Sequence, residues 1–272
     1  MVGAAVLLWG CMAGPQPETL VDDLVVVSLV SSPPEVGPGD TVQMEVHLGV
    51  PNDTPVDFLL WTCLPIGEDA CLEKDAEQRY FFVESADEAL QFEQTVPFET
   101  AGLLAAFGEE VPVFVWAMAC EQGLCPLLEQ AKTGSIDESE LVNPIDSLKT
   151  LPFDGVSLAW RTLWLSDRPV EERRKNPVVT ADFELPEQVS AGESVTLSFL
   201  VEDVGEEAEA FGYSLSGGFG SVETRVFNGA VELTWFAPEE LEESGESKLW
   251  VVVQDPSGGS ALWTGSLFVE KG

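Results

Sequence analysis

The sequence predicts an all-β protein of two tandem β-sandwiches. Three observations carry that expectation: apolar residues recur with a period of two, each half of the chain holds about seven such runs, and turn-forming residues separate them. The period is clearest in TVQMEVHLGV (41–50), where Val42, Met44, Val46 and Leu48 fall on one face and Gln43, Glu45 and His47 on the other. It returns in SVTLSFLVED (194–203), with Val195, Leu197, Phe199 and Val201 sharing a face. Such alternation marks a strand with one side on a core and the other in solvent. A chain of 272 residues, 45 % hydrophobic with 18 Pro and 24 Gly, is globular and long enough for each sandwich to own a core.

In the first half the runs predict strands near 23–30, 41–49, 56–63, 79–84, 89–96, 111–119 and 156–165. In the second they predict strands near 178–185, 193–203, 209–216, 222–227, 230–236, 247–254 and 260–269. Asn228-Gly229 should close a tight hairpin, because both residues tolerate the positive φ that a two-residue turn requires. An internal repeat precedes the second strand of each half. SSPPEVGPGD (31–40) and FELPEQVSAGE (183–193) both carry a Pro-Glu followed about five residues later by a Gly and an acid. Between the halves, SDRPVEERRKNP (166–177) is polar, Pro-bounded and holds four of the 12 basic residues. Residues 168–176 are therefore expected to link sandwiches at 22–167 and 177–272. Long loop insertions at 64–78 and 121–155 interrupt the first sandwich, the latter with short helical patterns near PLLEQAK and DESELVNPIDSLK. Loops of that length in a compact domain are commonly functional or disordered.

The opening run AAVLLWGCMAG (4–14) is well short of the roughly 20 residues a spanning helix needs. It fits the apolar core of a secretory signal. Its end, LWGC, resembles the bacterial lipobox, with Leu8 at −3 and the small Gly10 before the cysteine. Trp9 is bulkier than usual at −2, and residues 1–10 hold no Lys or Arg. The resemblance implies a signal peptide over 1–10, lipidation of Cys11, and a Pro- and Gly-bearing tether over 11–21. Lipoproteins retained in the inner membrane carry Asp after the lipidated cysteine, so Met12 implies the outer membrane. The alternative reading of the run is a buried N-terminal strand with a core cysteine.

The halves carry resemblances of their own. SSPPEVGPGDTVQMEV followed by LLWTC, and RRKNPVV at the start of the second domain, resemble the immunoglobulin-like regions of myxobacterial-type surface lipoproteins. YSLSGGFGS, LTWFAPEE and VVVQDPSGGSA resemble bacterial immunoglobulin-like and PKD-like modules. These motifs are turn and core signals, so they imply a scaffold and no particular activity.

With 48 acidic against 12 basic residues the net charge is −36, and residues 1–10 contribute none of it. That field repels nucleic acid, whose affinity comes from phosphates neutralised by Lys and Arg. Anionic lipid headgroups are disfavoured for the same reason, which leaves the acyl chain as the evident membrane attachment. Cationic ligands and divalent ions are attracted, although a solvated acidic surface explains the charge without them.

Four cysteines besides Cys11 suggest two disulfides in an exported chain. Three pairings are available. Cys63 and Cys120 should end neighbouring antiparallel strands at opposite ends of a sheet, which favours Cys63 with Cys71 and Cys120 with Cys125. Each such loop contributes about 2 to 3 kcal/mol. Zinc held by all four is the alternative, but CLPIGEDAC and CEQGLC match no ribbon or finger spacing.

Catalytic chemistry is poorly signalled. A nucleophile-histidine arrangement needs a histidine, and the only one, His47, falls mid-strand on the outward face. A working carboxylate pair needs one acid desolvated in a cleft, and no aromatic-lined cleft is signalled. Trp61, Trp116, Trp235 and Trp250 fall inside strands and should pack in the core or on sheet faces. The acid-bearing turns VPNDTPVD, VEDVGEEAE and VVQDPSGG raise calcium, yet none matches an EF-hand and the turn propensity of Asp and Asn explains them. No Gly-rich phosphate loop opens a helix.

The expectation is a lipid-anchored outer-membrane protein, on the periplasmic or surface face. It acts as a binding or structural module without catalytic residues, cofactor or metal, and its partner is an envelope protein or a polysaccharide. The alternatives are a carboxylate-dependent hydrolase and a calcium-rigidified spacer.

Overall fold

The computed structural model describes residues 19–51, 55–63, 80–84, 89–96, 100–122, 155–241 and 243–271. The chain folds into two immunoglobulin-like β-sandwiches. The first is built from β1 (Val25–Ser32), β2 (Glu35–Val36), β3 (Thr41–Gly49), β4 (Val56–Cys63), β5 (Tyr80–Glu84), β6 (Ala89–Thr95), helix α1 (Ala101–Phe107), β7 (Glu110–Glu121) and β8 (Val156–Ser166). Its sheets run β1-β3-β6 and β2-β8-β7-β4-β5. The second uses β9 (Val178–Ala181), β10 (Gln188–Ser190), β11 (Ser194–Glu202), β12 (Glu209–Ser214), β13 (Gly218–Phe219), β14 (Glu223–Arg225), β15 (Ala230–Phe236), β16 (Gly245–Gln254) and β17 (Ser260–Glu270). Its sheets run β13-β15-β11-β9 and β10-β17-β16-β12-β14.

The two orders are the same pattern repeated. In each, a first strand lies beside the second long strand in one sheet. The chain then crosses to the other sheet, where a short strand pairs in parallel with the last strand: β2 with β8, and β10 with β17. This crossing is the physical content of the sequence repeat. After Pro34-Glu35 and Pro186-Glu187, Val36 and Val189 are buried in the two cores. The following Gly39 and Gly192 take positive φ of 86° and 79°. The acid after each closes the turn: the Gly37 N–H donates to Asp40 Oδ2 at 2.7 Å, and the Ser190 N–H donates to Glu193 Oε2 at 3.0 Å. Asn228 and Gly229 have φ of 53° and 72° and join Phe227 to Ala230 in a two-residue hairpin, as the sequence leads one to expect.

Sequence periodicity locates the long strands closely and misses the short pieces. β2, β10 and β13 are two or three residues long and carry no period of their own. Helix α1 goes unforeseen because AGLLAAF is a short apolar run flanked by strands; Leu104 is its buried residue among the described side chains. The helical patterns near PLLEQAK and DESELVNPIDSLK, with Cys11, Cys71 and Cys125, lie outside the described residues.

Each sandwich has its own core. Val42, Met44, Val46 and Leu48 face Phe58, Leu60 and Val115 in the first; Leu197, Phe199, Trp235 and Val251 meet in the second. Gly217 shows how tightly the second is closed. At its φ of +72°, a Cβ would lie 2.2 Å from the Phe236 carbonyl oxygen and 2.9 Å from the Trp235 ring. Gly217→Ala should therefore cost about 2 to 4 kcal/mol in urea unfolding. Gly245→Ala, where a Cβ meets nothing within 4 Å, should cost less than about 0.5 kcal/mol.

Candidate functional site

The most elaborate polar construction among the described residues is the junction between the sandwiches, and it begins with a buried acid. Glu35 lies on β2, opposite Trp164 of β8, with its side chain fully removed from solvent. A carboxylate cannot stay charged there without partners. Arg174 supplies them from the chain between the domains: its backbone N–H reaches Glu35 Oε2 at 3.0 Å and its guanidinium Nη1 at 2.8 Å. The same guanidinium spans Glu110 at 3.0 and 3.2 Å and lies 4.1 Å from the centroid of the Trp164 ring. Arg168 also bonds Glu110, and Arg173 bonds Asp40 while its Nε donates to the Arg168 carbonyl at 2.9 Å. Three arginines thus face three acids. The expected linker, 168–176, is a bonded strap.

Asn176 ends the strap and fixes the second sandwich to the first. Its amide nitrogen donates to the Ser31 carbonyl and the Ser32 hydroxyl, each at 2.9 Å, and its oxygen accepts from the Ser260 N–H at 3.1 Å. The Ser260 hydroxyl donates to the Leu29 carbonyl at 3.1 Å.

A second, apolar contact completes the junction. A β-bulge between Val26 and Ser28 shifts the register of β1, so Val26 and Leu29 both face the first core while Val27 points away from it. Val27 packs with Val21, Trp250 and Val252, and with the flanking Tyr213 and Leu262 of the second sandwich. Upstream, Val21 N–H donates to the Ser214 carbonyl and Thr19 Oγ1 accepts from the Phe219 N–H, both at 2.8 Å. Residues 19–21, at the end of the expected tether, are thereby built into the second sandwich. The apolar run KLWVVVQ (248–254) was a sequence signal for this contact, since a strand buried on both faces loses its alternation.

Arg161 of β8 and Tyr213 of β12 are both largely buried and close enough for their charges to interact. Burial lowers the Arg161 pKa and raises that of Tyr213, each opposed by the other's charge.

The junction holds its acids charged. Burial alone raises the Glu35 carboxyl, but the Arg174 N–H, the Ser166 hydroxyl and the Arg174 guanidinium more than reverse this. Asp40 is lowered in the same way, with the Gly37 N–H and Arg173 outweighing burial. Glu110 is lowered chiefly by its hydrogen bond to Arg174, against the opposing effect of burial. None of this resembles a catalytic pair, which needs one acid held neutral.

Elsewhere the sequence-derived candidates are dispersed. His47 sits on the outward face of β3 beside Glu45 at 2.8 Å. Trp235 is in the second core, Trp250 is in the junction, and Trp116 lies half-buried on the outer face of β7. There it neighbours Phe114 and the exposed Trp160, with ring centroids 5.2 Å apart for Phe114–Trp160 and 6.1 Å for Trp116–Trp160. Trp61 stands opposite Trp116 in register. Asp255 is consumed by two neighbouring turns, accepting from the Ser257 N–H of its own turn at 2.7 Å and from the Gly205 N–H of the β11–β12 connection at 2.5 Å. Among the described residues no group of three or more His, Cys, Asp or Glu is arranged to hold a metal. Cys63 pairs in register with Phe114, and Cys120 with Asp57, so the two cysteines stand six residues apart along antiparallel neighbours.

No protein-family profile matches the chain, and no curated protein matches it. Among solved structures it is similar to dimeric latent PorU from Porphyromonas gingivalis, at 10 % identity and a TM-score of 0.29. That likeness covers 92 % of this chain and 24 % of PorU, so the chain spans about a quarter of that protein. It is also similar to murine CRIg, at 12 % identity and a TM-score of 0.22, over 35 % of this chain and 98 % of CRIg. Neither likeness bears on function.

Arg174→Ala should cost about 3 kcal/mol at neutral pH, the low end for a broken buried pair because Arg174 retains 18 % exposure. A carboxyl lowered by folding contributes stability that is present above its ordinary pKa and lost as pH falls through the lowered one. The difference between wild type and Arg174→Ala in urea unfolding should therefore be largest above about pH 5 and shrink towards pH 3.

Proposed function

We propose that this chain is a lipid-anchored protein of a bacterial outer membrane, acting as a binding or structural module through two sandwiches held as one body. The observation that carries the reading is the strapped junction. Two immunoglobulin-like units joined by a free linker sample many orientations, whereas two units locked by Arg174, Asn176 and the Val27–Trp250 contact present their surfaces in one geometry. Such preorganisation serves recognition or support.

The anchor reading rests on LWGC and the apolar run before it. Lipidated Cys11 is eight residues upstream of Thr19, the first described residue, and eight residues reach at most about 29 Å. Intact-mass measurement of membrane-extracted protein should find a diacylglyceryl-modified Cys11 as the first residue. An unmodified N-terminus would refute the anchor.

The cysteines are proposed as the local bridges Cys63–Cys71 and Cys120–Cys125. Two observations support them. Six residues of strand separate Cys63 from Cys120, about 20 Å, far beyond the roughly 7 Å that a disulfide tolerates between Cα atoms. Cys120 is fully buried near the end of β7, five positions before Cys125 in the sequence. Non-reducing peptide mapping should recover both local bridges. The partner, by charge, is neutral or cationic: an envelope protein or an uncharged polysaccharide, and not nucleic acid.

A further inference from the structure

The outer face of the β13-β15-β11-β9 sheet carries an apolar stripe that no core uses. Thr180, Leu200 and Ala230 stand in register across β9, β11 and β15, and Phe227 continues the row from the far side of the Asn228-Gly229 hairpin. Val178, one alternation along β9, borders it. Phe227 is 73 % exposed, Val178 50 % and Leu200 48 %. Phe227 points outward because its neighbour Val226 is buried in the second core, and the hairpin holds it there by two backbone hydrogen bonds to Ala230 at 2.8 and 3.1 Å. Four positions at strand spacing make a row about 14 Å wide.

Acids bracket the stripe on both sides. Glu202, opposite Val178, lies one alternation beyond Leu200, and Glu232, opposite Ser198, lies one alternation before it. Both are exposed. An apolar row with a carboxylate on either side is the complement of a segment whose apolar side chains are flanked by Lys or Arg.

We infer that this stripe is a docking surface for a cationic amphipathic segment of another protein, with Phe227 and Leu200 as its apolar anchors. An aromatic anchor on a preformed hairpin fits the residue type and rigidity of interface hot spots. A second copy of this chain is a poor occupant, because a two-fold contact sets Glu202 and Glu232 against their own like and adds another net charge of −36. Anionic lipid is disfavoured by the same charges.

The test is fluorescence anisotropy of a labelled peptide of alternating lysine and leucine, titrated with the purified full-length chain in detergent. Leu200→Ser, Phe227→Ser and the double variant Glu202→Gln/Glu232→Gln should each weaken binding by about tenfold. Phe268→Ser should bind as wild type, since Phe268 is exposed on the other sheet. Urea midpoints matching wild type confirm that the variants fold. Equal affinity in all five proteins, or equal loss in Phe268→Ser, would overturn the proposal by showing attraction through net charge alone. Concentration-dependent dimerisation abolished by Leu200→Ser would overturn it in favour of a second copy, and vesicle flotation abolished by the same change would overturn it in favour of lipid. The readout does not involve Cys11, so the mass measurement tests the anchor separately.

Discussion

A carboxylate with no access to water organises this molecule. Glu35 sits on a two-residue strand that exists only because the chain crosses from one sheet to the other, and that crossing places the acid against β8. Ionised and buried, it demands donors, and those nearest along the chain lie in its own turn, where the Gly37 N–H is already committed to Asp40. The demand is met by a residue 139 positions away. Once Arg174 is committed to Glu35 and Glu110, the chain between the sandwiches cannot swing. Removing one member of such a group leaves a stranded charge, and this penalty rather than any large net attraction makes the arrangement hard to lose.

The remaining contacts follow from that placement. With Arg174 seated on Trp164, Asn176 arrives where it can bond Ser31, Ser32 and Ser260 together, which brings β17 against β1. There the bulge in β1 matters, because it turns Val27 out of its own core towards Trp250 and Val252. The polar strap and the apolar patch are complementary. The strap gives direction, since hydrogen bonds have preferred geometry, and the patch gives non-directional stabilisation by removing apolar surface from water.

The same arrangement shapes the electrostatics of the surface. Four of only 12 basic residues lie in the strap, and three of them are paired with acids at the junction. The rest of the exterior is left strongly acidic, which keeps copies of the chain apart and selects for cationic or neutral partners. Exposed apolar positions such as Phe227 and Leu200 stand out against that background because carboxylates surround them.

The sequence by itself determined the fold class, the number of sandwiches and most strand positions. The reason is local: a strand with one buried face must alternate, so TVQMEVHLG announces β3 whatever surrounds it, and Asn228-Gly229 announces its turn through backbone conformation alone. The sequence repeat was legible too, although its meaning as a sheet crossing was not. Only the tertiary structure decided the junction. Glu35 reads as an ordinary turn acid until Arg174 is seen beside it, and RRKNP reads as a polar linker until its side chains are seen bonded. VVVSLV cannot reveal which valine faces which domain, because a bulge changes the parity without changing the composition. Pairings that join residues more than a hundred positions apart leave no period in the chain, and such pairings hold the two halves together.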